Sequence, residues 1–153
     1  MPFANVSKKI EVRNTGKGKS LFAVEPIGTN EIVLAFEKTF IEYSTGTSMQ
    51  IDDGVHQEAT DSDALENSLN HSCKPNGYID FRDLTYRARR PIERGEELTF
   101  NYNTTEWDMA KGFQCQCGHN GCYGHVVGFK YLTHDQQKEN EPWLSPFLSA
   151  KLN

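Results

Sequence analysis

The 153-residue chain contains no stretch of 18 apolar residues, which excludes a membrane-spanning helix of ordinary length. It has no basic excess either: 16 Lys and Arg stand against 21 Asp and Glu, a formal net charge of −5. Nonspecific attraction to a phosphate backbone needs a basic face, so direct nucleic-acid binding is not expected. Met1 to Ile10 offers no apolar stretch and no cleavage-like site. No secretory leader is therefore expected, and the chain is placed inside the cell, cytoplasm and nucleus not being separated. There is no internal repeat. A phosphate-binding loop is also missing: Gly18-Lys19-Ser20 ends like one, but the glycine required five positions before Gly18 is Arg13.

Cysteine is scarce, and its placement is uneven. The four are Cys73, Cys115, Cys117 and Cys122, the last three forming Cys-x-Cys-x4-Cys among Gly118, Gly121 and Gly124. In a reducing compartment such a set points to metal before disulfides. Four thiolates complete a tetrahedral zinc shell with no open position, which makes the ion structural. Two disulfides or unpaired thiols are the alternative, and His119 and His125 are competing ligands in the same segment.

What is present in quantity is turn chemistry. Twelve glycines separate short apolar runs, which favours many short strands over long helices. Strands are expected at Ile10 to Arg13, Leu21 to Val24, Glu31 to Phe36 and Phe40 to Tyr43, with a strand pair Tyr78 to Phe81 and Leu84 to Ala88, and a further strand at Glu97 to Tyr102. A short helix capped by Asp61 or Ser62 is expected through Asn70, and a helical turn over Thr104 to Ala110. His134 to Glu141 is polar and expected to be mobile. Pro142 to Leu148 is apolar enough to dock on the core.

Three strings decide the family resemblance. Asn70 to Asn76 reads N-H-S-C-K-P-N, Gly95 to Tyr102 reads G-E-E-L-T-F-N-Y, and Cys115 to Cys122 reads C-Q-C-G-x3-C. In this order they resemble the SET domain and its post-SET module, over about residues 8 to 128. The stretch from Trp107 through Phe113 to Cys122 is most similar to the post-SET segment of histone H3 lysine-9 enzymes. The resemblance implies a mostly β protein: a SET fold of short twisted sheets, of β-clip type, with a C-terminal pseudoknot and a small zinc-binding post-SET lid. It divides the chain into a SET domain at 1–110, a zinc-binding segment at 111–128 and a C-terminal tail at 129–153. It implies one structural zinc on Cys73, Cys115, Cys117 and Cys122.

The resemblance also implies methyl transfer from S-adenosylmethionine to a lysine of a protein substrate, a basic or histone-like tail being one candidate. Tyr102 matches the family's catalytic tyrosine. Lys17, Gly18, Lys19, Asn70, His71 and Gln116 match positions at the cofactor. Phe100, Phe113 and Trp107 match the substrate channel, and phenylalanine at 100 implies di- or trimethyl-lysine as product. A nonenzymatic protein-binding module on a SET scaffold is the competing reading. The chain departs from the family pattern at Ser20, where a glycine is usual, at Asn101, where aspartate is commoner, and at Gly77, where many relatives carry cysteine. The insert between Tyr43 and Asn70 is short, and no cysteine-rich region is expected ahead of the domain.

Overall fold

Short apolar runs between turn residues give short strands, and each must find partners elsewhere in the chain to bury its apolar side. A computed structural model describes residues 6–152, so the first half of the Met1–Ile10 segment lies outside the described residues. The strands are β1 (Ile10–Thr15), β2 (Gly18–Ala23), β3 (Ile32–Ala35), β4 (Phe40–Ile41), β5 (Met49–Asp52), β6 (Val55–Gln57), β7 (Asn70–His71), β8 (Gly77–Asp80), β9 (Thr85–Ala88), β10 (Thr99–Phe100), β11 (Phe113–Gln114) and β12 (His125–Val126). Two short helices follow, α1 (His134–Asn140) and α2 (Pro146–Ser149).

These strands make five small sheets rather than one. β1 and β2 form an antiparallel hairpin, closing at Thr15↔Gly18, where Gly18 takes φ +97°. β3, β9 and β8 form a three-stranded sheet, β4, β6 and β5 another, and β11 pairs with β12. The remaining pair, β7 with β10, is parallel, and it brings two of the sequence motifs side by side: Thr99↔Asn70 and Phe100↔His71. The main core joins Leu21, Ile27, Leu34, Ile79, Ile92 and Leu98 around Tyr86, which is fully buried.

Asn76 explains the last letter of the N-H-S-C-K-P-N string. Its Oδ1 accepts from the Thr99 N–H (3.0 Å), and its Nδ2 donates to the Glu97 carbonyl (2.8 Å). Both bonds fall on the G-E-E-L-T-F-N-Y segment, so one buried amide fixes the register between the motifs. The Tyr86 hydroxyl donates to the Thr99 carbonyl (2.8 Å) with Asn76 Oδ1 3.2 Å away. That tyrosine also explains Gly77: a Cβ at 77 would collide with the Tyr86 ring and hydroxyl.

Several elements differ from expectation. The helix expected through Asn70 is a single 3-10 turn, Leu65–Ser68, with no side-chain cap. The chain must run extended into β7, and Leu69 already has φ −75° and ψ 114°. The strand expected at Glu97 to Tyr102 shrinks to Thr99–Phe100. Asn101 caps a 3-10 turn at Tyr102–Thr104, its Oδ1 accepting from the Asn103 N–H (3.0 Å). The helical turn expected over Thr104 to Ala110 therefore sits earlier in the chain. The β5–β6 hairpin was not among the expected strands; it turns at Asp53-Gly54, where Gly54 takes φ +66°. The polar stretch after Thr133 is ordered as α1 by a capping box between Thr133 and Gln136.

Pro142 to Leu148 does dock. Leu144 and Leu148 cluster with Phe129 and Trp107. Trp143 lies against Tyr78, ring centroids 5.0 Å apart, and under Arg89 at 4.3 Å.

Candidate active site and cysteine cluster

The parallel β7–β10 pair and the turn after it set four rings together. Tyr102 lies 4.9 Å from Phe100, 5.4 Å from His71 and 5.9 Å from Phe113, between ring centroids. His71 lies 5.8 Å from Phe113. Phe100 and Tyr102 do not meet by strand alternation, since Tyr102 is already in the 3-10 turn; the turn carries its ring back over β10.

The His71 ring is fully engaged. Nδ1 accepts from the Tyr102 N–H (3.0 Å), which leaves the proton on Nε2, 3.3 Å from Cys73 Sγ. Burial pulls its pKa down to about 4, so the ring is neutral at pH 7. One side chain thus links the turn that holds Tyr102 to the cysteine cluster.

The Tyr102 hydroxyl donates to the Leu69 carbonyl at 2.6 Å. Burial, and then the charges of Glu106 and Glu97, hold its pKa well above the ordinary tyrosine value. The phenol therefore keeps its proton at any working pH. With that proton given to Leu69, the oxygen presents lone pairs.

Two cavities border this cluster. One, of about 290 Å³, is lined by Phe100 and Tyr102 together with Leu69, Met49, Glu66 and Glu106. The other, of about 230 Å³, is more polar and is lined by Lys17, His71, Ser72 and Glu97 among others. Tyr102 borders the first and His71 the second, so one layer of rings separates them.

Of the residues expected at the cofactor, Lys17 and His71 line the second cavity. Lys17 Nζ pairs with Glu97 at 3.0 Å. Asn70 stands behind it, donating from Nδ2 to Ser20 Oγ (2.7 Å) and to Glu97 Oε2 (2.9 Å). Ser20, where a glycine is usual, is thus a fully buried acceptor for Asn70. Gly18 and Lys19 lie on the β1–β2 hairpin, and Lys19 reaches Asp63 (3.4 Å). Gln116 is exposed beside the cysteines, and neither it, Gly18 nor Lys19 lines the second cavity.

Of the expected channel aromatics, Phe100 lines the first cavity, Phe113 meets Tyr102 and His71 but lines neither cavity, and Trp107 stands apart. It packs toward Phe129 (6.2 Å) and under Lys151 Nζ (4.5 Å), and it lines neither cavity. The 3-10 turn starting at Tyr102 rotates position 107 toward the C-terminal cluster.

The cysteines converge although Cys73 is far upstream. All four sulfurs lie within 4.8 Å of one another, with Cys73–Cys115 at 3.7 Å and Cys73–Cys122 at 3.9 Å. Ligands on ~2.3 Å bonds at tetrahedral angles stand about 3.8 Å apart. Burial pushes the Cys73 thiol up and the Cys115 thiol up to about 11. Against its own burial, hydrogen bonds led by the His119 backbone hold the Cys117 thiol down to about 7, and a cation among the four sulfurs would favour the thiolate form of all of them. The four cysteines can hold one zinc ion, and all four are free of disulfides.

Glu106 and Glu66 escaped the sequence reading. Nothing in a polar run such as Asn103 to Glu106 marks one carboxylate for burial.

The family model for the SET domain matches residues 9–103. Among curated proteins, the chain is 37% identical over 112 residues to methyltransferase flvH of Aspergillus flavus, covering 71% of this chain and 59% of that protein. It is 35% identical over 131 residues to the H3 lysine-36-specific histone-lysine N-methyltransferase of Schizosaccharomyces pombe, covering 78% of this chain but 16% of that one. Among solved structures, KRYPTONITE in complex with mCHH DNA, an H3(1-15) peptide and SAH superposes with a TM-score of 0.65 at 20% identity, over 80% of this chain and 30% of that one. At that identity the likeness is one of fold. No helix among the described residues is long and apolar enough to cross a membrane.

Proposed function

Because the chain belongs to the SET-domain family, we propose that it transfers methyl groups from S-adenosylmethionine to a lysine side chain of a protein substrate. The observation that carries this reading is the single layer of rings, Phe100, Tyr102 and His71, between two cavities. Such a layer suits a reaction whose two partners enter separate cavities and meet at one point.

Bound S-adenosylmethionine supplies a methyl carbon activated by the neighbouring sulfonium. The rest of the work falls to the chain. Aligning donor and acceptor can be worth ~7–11 kcal/mol. Tyr102 is the catalytic residue of this reading: its oxygen, its own proton held by Leu69, accepts from an amine N–H and aims the lone pair. Tyr102 is no base, because its pKa is raised and its proton is already in use. A lysine with pKa near 10.4 loses about 4–5 kcal/mol in becoming neutral at pH 7. The walls of Phe100, Tyr102 and Leu69 lower that cost by desolvating the ammonium.

The polar cavity takes the cofactor, with Lys17 and His71 at its wall, Asn70 steadying Glu97 beneath it, and the Gly18–Lys19 backbone and Gln116 at its edges. Phe100 leaves room for successive methyl groups, so the product is di- or trimethyl-lysine. The zinc held by Cys73, Cys115, Cys117 and Cys122 is structural, and it braces Phe113 through the loop that carries both. Residues 1–110 form the SET domain, 111–128 the zinc segment and 129–153 the tail.

The chain spans about three fifths of flvH and about one sixth of the fission-yeast enzyme, so the substrate rests on its own surface. A net charge of −5 supports a basic protein such as a histone tail over a nucleic acid. The KRYPTONITE complex carries DNA as well as peptide, but this chain covers 30% of that one. Radiolabelled methyl transfer onto whole-cell protein, purified histones and a panel of basic peptides, followed by mapping of the modified residue, tests the proposal. Cofactor binding without label on any protein lysine overturns it.

A further inference from the structure

Four residues beyond Tyr102 the fold buries a carboxylate and gives it no cation. Glu106 is 8% exposed, and it takes part in none of the ion pairs among the described residues. Its Oε2 is fixed, accepting from the Gln50 N–H (2.8 Å) and from the Thr105 hydroxyl (2.6 Å). Its Oε1 accepts from no group among the described residues. Nor is that oxygen sealed: the buried side-chain atoms without a partner among the described residues are His56 Nδ1 and Glu58 Oε2. Oε1 therefore opens on the 290 Å³ cavity that Glu106 lines together with Phe100 and Tyr102.

A half-satisfied buried carboxylate is costly unless something completes it. Neighbouring acids do not relieve it. Glu66, on the same cavity, accepts from the Glu37 N–H (3.0 Å) and from Gln57 Nε2 (2.6 Å) and likewise has no cation. Among the described residues, the one cationic residue lining the cavity is the exposed Lys111. Burial raises the pKa of both carboxyls, the sign expected where no positive charge is at hand.

We infer that Glu106 is the cation-binding residue of this cavity, its open Oε1 accepting an N–H from the ammonium of an alkylamine chain that lies against Phe100 and Tyr102. The inference rests on the methyl-transfer reading for the identity of that chain, a lysine, but the site itself is defined by the cavity. It assigns a step that the aromatic layer cannot perform. Rings that desolvate an ammonium also repel its entry, and a carboxylate at the wall draws the charged form in. The cavity should therefore select a cationic chain end over a neutral one of the same size.

The probe is n-butylammonium, which reproduces the lysine side chain, with 1-butanol as its neutral counterpart. Both are titrated at pH 7 into the zinc-loaded full chain and followed by amide NMR. Saturable shifts at Phe100, Tyr102 and Glu106 are expected with butylammonium, and about tenfold weaker binding or none with butanol. Glu106→Gln keeps an oxygen for the Gln50 N–H and the Thr105 hydroxyl. It should weaken butylammonium about ten- to a hundredfold, the measure of a charge-assisted hydrogen bond, and leave butanol unchanged. Equal binding of the two probes by the wild type overturns the inference without any variant, and so does undiminished butylammonium binding by a folded Glu106→Gln. Butylammonium binding with no methyl transfer to any protein would remove the proposed reaction and keep this site.

Discussion

Replacing Asn101 by aspartate, the residue commoner at this place in the family, should weaken this protein. Asn101 is 1% exposed. Its Oδ1 accepts from the Asn103 N–H (3.0 Å) and from Asn103 Nδ2 (3.1 Å), and a carboxylate would keep both bonds. Its Nδ2, however, donates to Asn140 Oδ1 at 3.2 Å, which a carboxylate cannot do. Two oxygens would then face each other in a buried place. Asn140 cannot turn its amide over to help. Its Nδ2 donates to the Gln136 carbonyl (2.8 Å) and to the Tyr123 hydroxyl (2.9 Å), and a flipped oxygen would meet the Gln136 carbonyl. A stranded buried acceptor costs ~1–3 kcal/mol, and desolvating the new charge adds to it. Stronger bonds from Asn103 to a charged oxygen offset part. A net loss of about 2 kcal/mol lowers Tm by about 4–8 °C in a chain of this size. Calorimetry of the wild type, Asn101→Asp, Asn140→Ala and the double variant checks it. The double variant should lose less than the sum of the single losses, since Asn140→Ala removes the opposing oxygen. An Asn101→Asp protein that melts at or above the wild-type temperature, or strictly additive losses, would refute the reasoning.

Tyr102→Phe removes one hydroxyl and its bond to Leu69; the fold and cofactor affinity should persist while most methyl transfer is lost, and near wild-type turnover would exclude the role. The wild-type rate should climb from pH 7 to about 9 as more substrate lysine becomes neutral, and a flat profile in that window would count against a deprotonated amine as the acceptor. Phe100→Tyr should shift products toward monomethyl-lysine in mass spectra taken at long reaction times, with the first methylation little changed; unaltered product ratios would mean that the residue only packs. Chelation should release about one zinc per chain and loosen residues 111–128 before the main core, seen as early hydrogen exchange in β11 and β12; a metal assay that finds none would overturn the zinc assignment.

The convergence of Cys73 with three cysteines more than forty positions later was legible through the family resemblance of the N-H-S-C and C-x-C-x4-C strings, since spacing alone does not join sites so far apart. The pairing of the two central motifs, Thr99↔Asn70 and Phe100↔His71, was supplied by the tertiary structure. The strands at Ile10, Leu21 and Ile32 followed from short apolar runs between turn residues. The expected helix before Asn70 failed because local spacing of Leu65 and Leu69 says nothing of the extended path into β7 that Leu69 must begin. Trp107 was assigned to the channel on resemblance, but the 3-10 turn after Asn101 directs it to the Phe129 cluster.

By itself, then, the sequence determined the family and marked the four cysteines and Tyr102 as the candidates for zinc and for the reaction, because each is written in motifs whose residue types admit few other chemistries. Only the tertiary structure decided which groups those motifs lean on. Asn140 meeting Asn101, Ser20 receiving Asn70, Tyr86 demanding glycine at 77, and Glu106 buried with one oxygen open all join residues far apart in the chain or depend on burial. Hydrogen bonding and desolvation act over a few ångströms in space, and no pattern along the chain records which polar side chain will find a partner there and which will be left without one.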